Sequence, residues 1–291
     1  MAKLNWTREA ELMNIPKIWV KAEREVRGKR GPMQLAAWGW SANDRGEAQR
    51  LANEKLERMV RRVEQTQELS HDYAYGTRPM REEIIQELHT GGGELAGIVT
   101  RNSYGALVLN TSQVMFVDID LPAEGFAQRL GRLFGRRRSP EAETLERVKT
   151  GLREISTATF RIYRTAAGFR LLATDRLFQP GSSESENIMK VVAADPAFVR
   201  LCRVQESFRA RLTPKPWRCG LDLPPGRYPR EDNFDKEKFA AWLAGYEQNI
   251  VNKSTCRLLE EVGSGWVHDQ VQPILRLHDE AAKVNTTLAL A

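Results

Sequence analysis

The sequence predicts an α+β fold: helices first, then a strand-rich core with intervening helices, then helices again. Three observations carry this. Residues 45–68 repeat apolar side chains at helical spacing, Ala48, Leu51, Ala52, Leu56, Met59, Val60 and Val63, with charge on the opposite face. The middle of the chain instead holds short apolar runs of strand character, among them Val114 to Asp120, Phe160 to Thr165 and Phe169 to Thr174. The last sixty residues return to helical patterning. Such an order suits a mainly antiparallel sheet over residues 94–230, covered by helices at 141–155 and 195–212 and flanked by helical regions at 1–93 and 231–291.

Each element follows from local chemistry. Residues 1–30 read as helical with a break at Pro16, and Pro79 opens a short amphipathic helix, Arg81 to Leu88, that Gly91-Gly92-Gly93 ends. Ala96–Val99 and Ala106–Leu109 are short strands, and Asn110 to Gln113 reads as a hairpin turn into Val114–Asp120. Residues 123–139 form a basic, Gly-containing segment. Ala166-Ala-Gly168 joins the next two strands, and Gly181 to Glu186 is a polar loop. Asp195-Pro196 caps a helix to about Leu212, after which Pro214, Pro216 and Pro224-Pro225 interrupt the chain. Residues 235–250 and 255–285 read as helices.

Composition excludes several classes of function. No run of about 18 apolar residues is present, and the first residues lack a signal-peptide core, so no membrane partner and a cytoplasmic setting are expected. Cys202, Cys219 and Cys256 have no CxxC spacing, and the four His form no metal pair, which moves any metal chemistry onto carboxylates. The sequence contains no phosphate-loop, dinucleotide-binding or nucleophile-elbow motif. The 44 Lys and Arg outnumber 38 acids, for a net charge of +6. Most of these cations are Arg, a planar bidentate partner for phosphate. Nucleotides or nucleic acid are the partners this charge fits; protein partners do not follow from the sequence.

Four constellations carry chemistry. Strand alternation puts Asp118 and Asp120 on one face of Phe116-Val-Asp-Ile-Asp120, where Mg²⁺ or Mn²⁺ would relieve their repulsion. The Tyr163-Arg-Thr-Ala-Ala-Gly-Phe-Arg170 hairpin offers Arg164, Thr165, Gly168 and Arg170 to a phosphate. Lys215-Pro-Trp-Arg218-Cys-Gly-Leu-Asp222 supplies Arg218 and a third carboxylate. Arg78 and Arg81, near Tyr73 and Tyr75, and Arg101 with Tyr104 pair stacking with phosphate contact.

Asp118-Ile-Asp120, then Thr165-Ala-Ala-Gly-Phe-Arg170, then Leu221-Asp222 resemble, in order, the motifs of archaeo-eukaryotic primase-like (primase-polymerase) enzymes. The resemblance implies an RRM-like palm sheet, Asp118, Asp120 and Asp222 as catalytic metal ligands for Mg²⁺ or Mn²⁺, and a hairpin that holds nucleotide phosphates. It covers only the middle of the chain, and Arg170 stands where that family has His. Two functions are therefore expected. One is a metal-dependent enzyme of nucleotidyl or phosphoryl transfer. The alternative is a non-enzymatic nucleic-acid-binding or protein-interaction protein built on an RRM-like sheet.

Overall fold

The structure, a computed structural model, describes residues 13, 15–29, 31–66, 79–122, 139–155 and 158–291. The fold is α+β with antiparallel sheets, and it divides into two compact units, Met1–Glu83 and Ile84–Ala291. Among the described residues no helix is long and apolar enough to cross a membrane.

The first unit is a hairpin under a helix. Strands β1 (Ile18–Gly28) and β2 (Gly31–Ser41) pair antiparallel, from Ile18↔Ser41 to Gly28↔Gly31. Helix α1 (Arg45–Thr66) follows the periodicity at 45–68. The helix expected through residue 30 is instead a strand over 18–28. Val20 and Ala22 alternate inward, and Ala22, Leu35 and Ala37 pack with Ala52, Leu56, Val60 and Val63 of α1. Gly39 permits this contact, since a Cβ there would meet the Ala48 carbonyl oxygen at 1.9 Å. Asp44 caps α1, its Oδ1 accepting from the Gly46 amide at 2.7 Å.

The second unit holds two four-stranded sheets. One has the order β3 (Glu83–His89), β4 (Leu95–Arg101), β5 (Leu107–Thr111), β9 (Phe208–Arg211). The other has the order β11 (Cys256–Val262), β7 (Phe160–Thr165), β8 (Gly168–Ala173), β6 (Phe116–Asp120), all neighbours antiparallel. With α2 (Pro140–Ile155) between them in sequence, β6 and β7 run parallel on either side of β8, a split β-α-β unit. Helices α3 (Ser183–Val191), α4 (Pro196–Gln205), α5 (Asn233–Ile250) and α6 (Gln272–Ala281) complete it, with a short parallel pair, β10 (Lys253–Ser254) and β12 (Ala289–Leu290). Phe116, Phe160, Ile162, Phe169 and Leu171 fill the core with Val148 and Leu152 of α2 and Ile274 of α6.

Several expected elements change identity here. The 81–88 helix is strand β3: two adjacent Ile favour a pleated strand, and the Gly91–Gly93 turn returns the chain to β4. The expected 110–113 hairpin does not form, because β5 and β6 enter different sheets. Asn110 Nδ2 donates to Ile98 O and Thr100 Oγ1, both at 3.0 Å, and Thr111 Oγ1 donates to Val114 O at 2.6 Å, so the segment crosses between sheets. The 195–212 helix stops at Gln205, where Glu206 takes a left-handed φ of 48°, and Phe208 and Ala210 then alternate inward as β9. The 255–285 helix resolves into β11 and α6, parted by Gly263 and Gly265 at positive φ. The polar loop at 181–186 becomes the start of α3, where Ser182 Oγ accepts from the Ser185 amide.

One titrating group is sealed inside. His278 on α6 has no exposed surface, packs against Phe116 and Tyr163, and shares a 2.9 Å hydrogen bond between Nδ1 and Asp279 Oδ1. Tyr163 Oη donates to the same carboxylate at 2.9 Å, and Arg161 Nη1 reaches its other oxygen at 3.1 Å. Burial lowers the imidazole pKa; Asp279 opposes this, the Arg170 charge adds to it, and Asp118 opposes it. A His that binds its proton less readily when folded contributes stability that is present above its unfolded pKa of about 6.5 and is lost as pH falls. The unfolding free energy in urea should therefore decline from pH 7.5 to 5.5, and His278→Gln should flatten that decline. An unchanged slope in the variant would show that His278 is not the titrating group.

Candidate anion-binding site

The site grows from one cross-strand pair. Asp118 and Asp120 share a face of β6, and the register sets Asp118 opposite Arg170 and Asp120 opposite Gly168 on β8. Arg170 Nε donates to Asp118 Oδ1 at 2.8 Å, and Nη2 donates to Oδ2 at 3.3 Å. Its Nη1 donates to the Arg211 carbonyl at 2.8 Å, at the end of β9 in the other sheet. Arg170 is only 1% exposed, whereas the Asp118 side chain keeps 37%. Burial pushes the Arg170 guanidinium pKa down, but the Asp118 charge and hydrogen bonds raise it above its ordinary value. Arg170 therefore serves as the internal counter-charge of the first carboxylate.

Three more cations gather around this pair. Arg211 lies at the end of β9, and burial followed by the neighbouring Arg170 charge lowers its guanidinium to about 10. Burial, then Arg211 and Arg218, likewise hold the Lys215 ammonium below its ordinary value, while Asp120 and Asp118 pull the other way. Arg211 Nε and Arg218 Nη1 are among the buried polar atoms that find no hydrogen-bond partner within the described residues. Two unpaired buried donors on neighbouring guanidinium groups give this region hydrogen-bonding capacity that the described side chains do not use.

Local backbone chemistry puts an aromatic ledge beside these cations. Extended Lys215 leads into a 3₁₀ turn, Pro216–Cys219, closed by Gly220 at φ 75°. On this turn Trp217 is 49% exposed, and the Lys215 Nζ lies 5.3 Å from its ring centroid. Tyr104, 42% exposed, meets Trp217 edge-on at 5.3 Å. Asn102 Oδ1 shapes the Tyr104 loop by accepting from the Tyr104 and Ala106 amides at 3.0 and 3.1 Å. Gly105, at φ 81°, lies where a Cβ would meet the Trp242 ring at 2.3 Å.

The sequence-selected residues divide accordingly. Asp118, Asp120, Arg170, Arg218 and Tyr104 fall in this region. Arg101 supports the Tyr104 loop, Nη1 donating to Gly105 O at 3.0 Å. Arg164, Thr165 and Gly168 build the hairpin. Arg164 grips Glu141 through Nε at 2.7 Å and Nη2 at 3.2 Å and also donates to the Thr165 and Gly168 carbonyls. Thr165 Oγ1 accepts from the Gly168 amide at 3.0 Å, and a Cβ on Gly168 would lie 1.9 Å from the Ile119 carbonyl oxygen. That glycine serves strand packing, not the approach of a ligand. Asp222 is exposed, and its carbonyl accepts from Trp242 Nε1 at 3.0 Å. Among the described residues, no three His, Cys, Asp or Glu side chains gather into a set able to hold a metal ion, so Asp222 does not join Asp118 and Asp120 in one. Arg81 belongs to the first unit, its guanidinium 4.9 Å from the Trp38 ring centroid, and Arg78 lies outside the described residues.

Sequence reasoning passed over Arg211, Lys215 and Trp217. The inward alternation of Phe208 and Ala210, with Arg209 and Arg211 at the alternate positions, carried the signal for Arg211. Comparison of the chain with protein-family models, with curated proteins and with solved structures finds no match.

Proposed function

We propose that this chain binds nucleotides or single-stranded nucleic acid, with phosphate held by Arg211, Lys215 and Arg218 and a base stacked on Trp217 and Tyr104. One observation carries the reading: the buried, unpartnered Arg211 Nε and Arg218 Nη1 beside an exposed aromatic pair. Phosphate supplies the acceptors these donors lack, and guanidinium matches it in bidentate fashion. A base on an exposed Trp adds sequence-tolerant attraction.

The test is binding of a labelled single-stranded oligonucleotide, followed by anisotropy across a salt series. Affinity is expected to fall linearly on a log–log salt plot, as counterion release requires. Lys215→Ala and Arg218→Ala should each weaken binding by about tenfold or more, the worth of one hydrogen bond to a charged group. Trp217→Ala should weaken it by a similar factor through lost stacking. No binding at low salt, or binding indifferent to all three changes, would overturn the proposal.

A second reading, metal-dependent nucleotidyl or phosphoryl transfer, is favoured by the shared face of Asp118 and Asp120. Both Asp118 oxygens already accept from Arg170, so the exposed Asp120 supplies the remaining acceptors for Mg²⁺ or Mn²⁺. A divalent cation bound there would offset phosphate charge. On this reading Mg²⁺ or Mn²⁺ raises the melting temperature of the wild type and not of Asp120→Ala. Identical responses in both proteins would dismiss it.

A further inference from the structure

The charge count at this site specifies the kind of phosphate it takes. Arg170 reaches the Arg211 backbone at 2.8 Å, Arg211 feels the charges of Arg170 and Arg218, and Lys215 those of Arg211 and Arg218, so four cations are set against the carboxylates Asp118 and Asp120. Arg170 is consumed by Asp118, with both carboxylate oxygens engaged. Asp120 cancels one more cation, and two positive charges remain. A phosphodiester in the middle of a strand carries a single negative charge. A phosphomonoester carries about −1.5 to −2 at neutral pH and offers three acceptor oxygens.

The donors agree with the charge. Arg211 Nε and Arg218 Nη1 are both buried and find no partner among the described residues. The Lys215 ammonium stands on the same 3₁₀ turn, where Arg218 N donates to Lys215 O at 3.0 Å. Three donors from three side chains match three terminal oxygens; a diester has only two that are not esterified. The Trp217–Tyr104 pair lies beside Lys215, where the nucleoside attached to such a phosphate would rest.

From this we infer that the ligand presents a terminal phosphate, a phosphomonoester dianion held by Arg211, Lys215 and Arg218 with its base on Trp217. The inference rests on the nucleotide-binding reading above and narrows it. Two sources share this chemistry, a nucleoside monophosphate and the 5′ end of a single strand.

The experiment compares two oligonucleotides of one sequence, 5′-phosphorylated and 5′-hydroxyl, with a nucleoside monophosphate and inorganic phosphate as competitors, all on the full chain. The phosphorylated strand is expected to bind about tenfold more tightly, equivalent to one added charge-assisted pair. Arg218→Gln and Lys215→Gln, both on a partly exposed turn, should each abolish that preference while the melting temperature is retained. Arg211→Gln should do the same where it folds. Competition by the monophosphate at the strand's own affinity would assign the site to free nucleotides, and weak competition would assign it to strand ends; both support a terminal phosphate. Equal affinity for the two strands would overturn the terminal-phosphate inference and leave nucleic-acid binding standing. Absence of binding by either strand and by the monophosphate would overturn both.

Discussion

A single buried guanidinium ties the two sheets of the second unit to each other. Arg170 projects from β8, neutralises Asp118 on β6 and donates to the backbone of β9, so one side chain bonds three strands in two sheets. An almost fully buried arginine is tolerable only when its charge is matched and its donors are used. The register that places Asp118 opposite Arg170 meets that demand, and Gly168 allows β6 and β8 to approach closely enough for it. The hairpin residues Arg164 and Thr165 then hold the β7–β8 turn in place.

The properties of the site follow from that pair. With Asp118 engaged, Arg211 sits buried beside a like charge, which is why its guanidinium binds its proton less tightly than usual. Lys215 and Arg218 add to the same field, and Asp120 offsets only part of it. A partly buried excess of positive charge with unpaired donors is a poor arrangement for an empty protein and a favourable one for an anion. On the proposed reading, the exposed aromatic pair adjoining it supplies the surface on which a base would stack.

Much of this was legible in the sequence, and the exceptions have physical causes. Helices with long apolar periodicity, α1 and α2, were readable because about three turns or more of one-sided spacing leave little ambiguity. The apolar run ending in Asp118 and Asp120, and the β7–β8 hairpin, were readable as strands because they are short apolar runs rich in β-branched and aromatic residues. Strands whose alternation is broken, and one that directly follows a helix, were not. In β1 the inward alternation is interrupted by Arg24, and in β11 by the shift between Leu258 and Glu260. β9 is four residues long and follows a helix without a Pro or Gly between them. The function of Arg170 was hidden in a different way. Its neighbours in sequence read as a phosphate-binding hairpin; only the strand register shows that its partner is Asp118. Arg211 was missed because its element was read as helix.

The most direct test of this account compares two carboxylates that are equivalent in sequence and unequal in structure. Urea unfolding of Asp118→Ala and Asp120→Ala measures what each contributes. The Arg170 pairing predicts that Asp118→Ala loses about 3 kcal/mol, the low end for a broken buried pair because Asp118 still touches water. Asp120→Ala, at an exposed position, should stay within about 0.5 kcal/mol of the wild type. Equal losses from the two substitutions would contradict the central role of the Arg170–Asp118 pair.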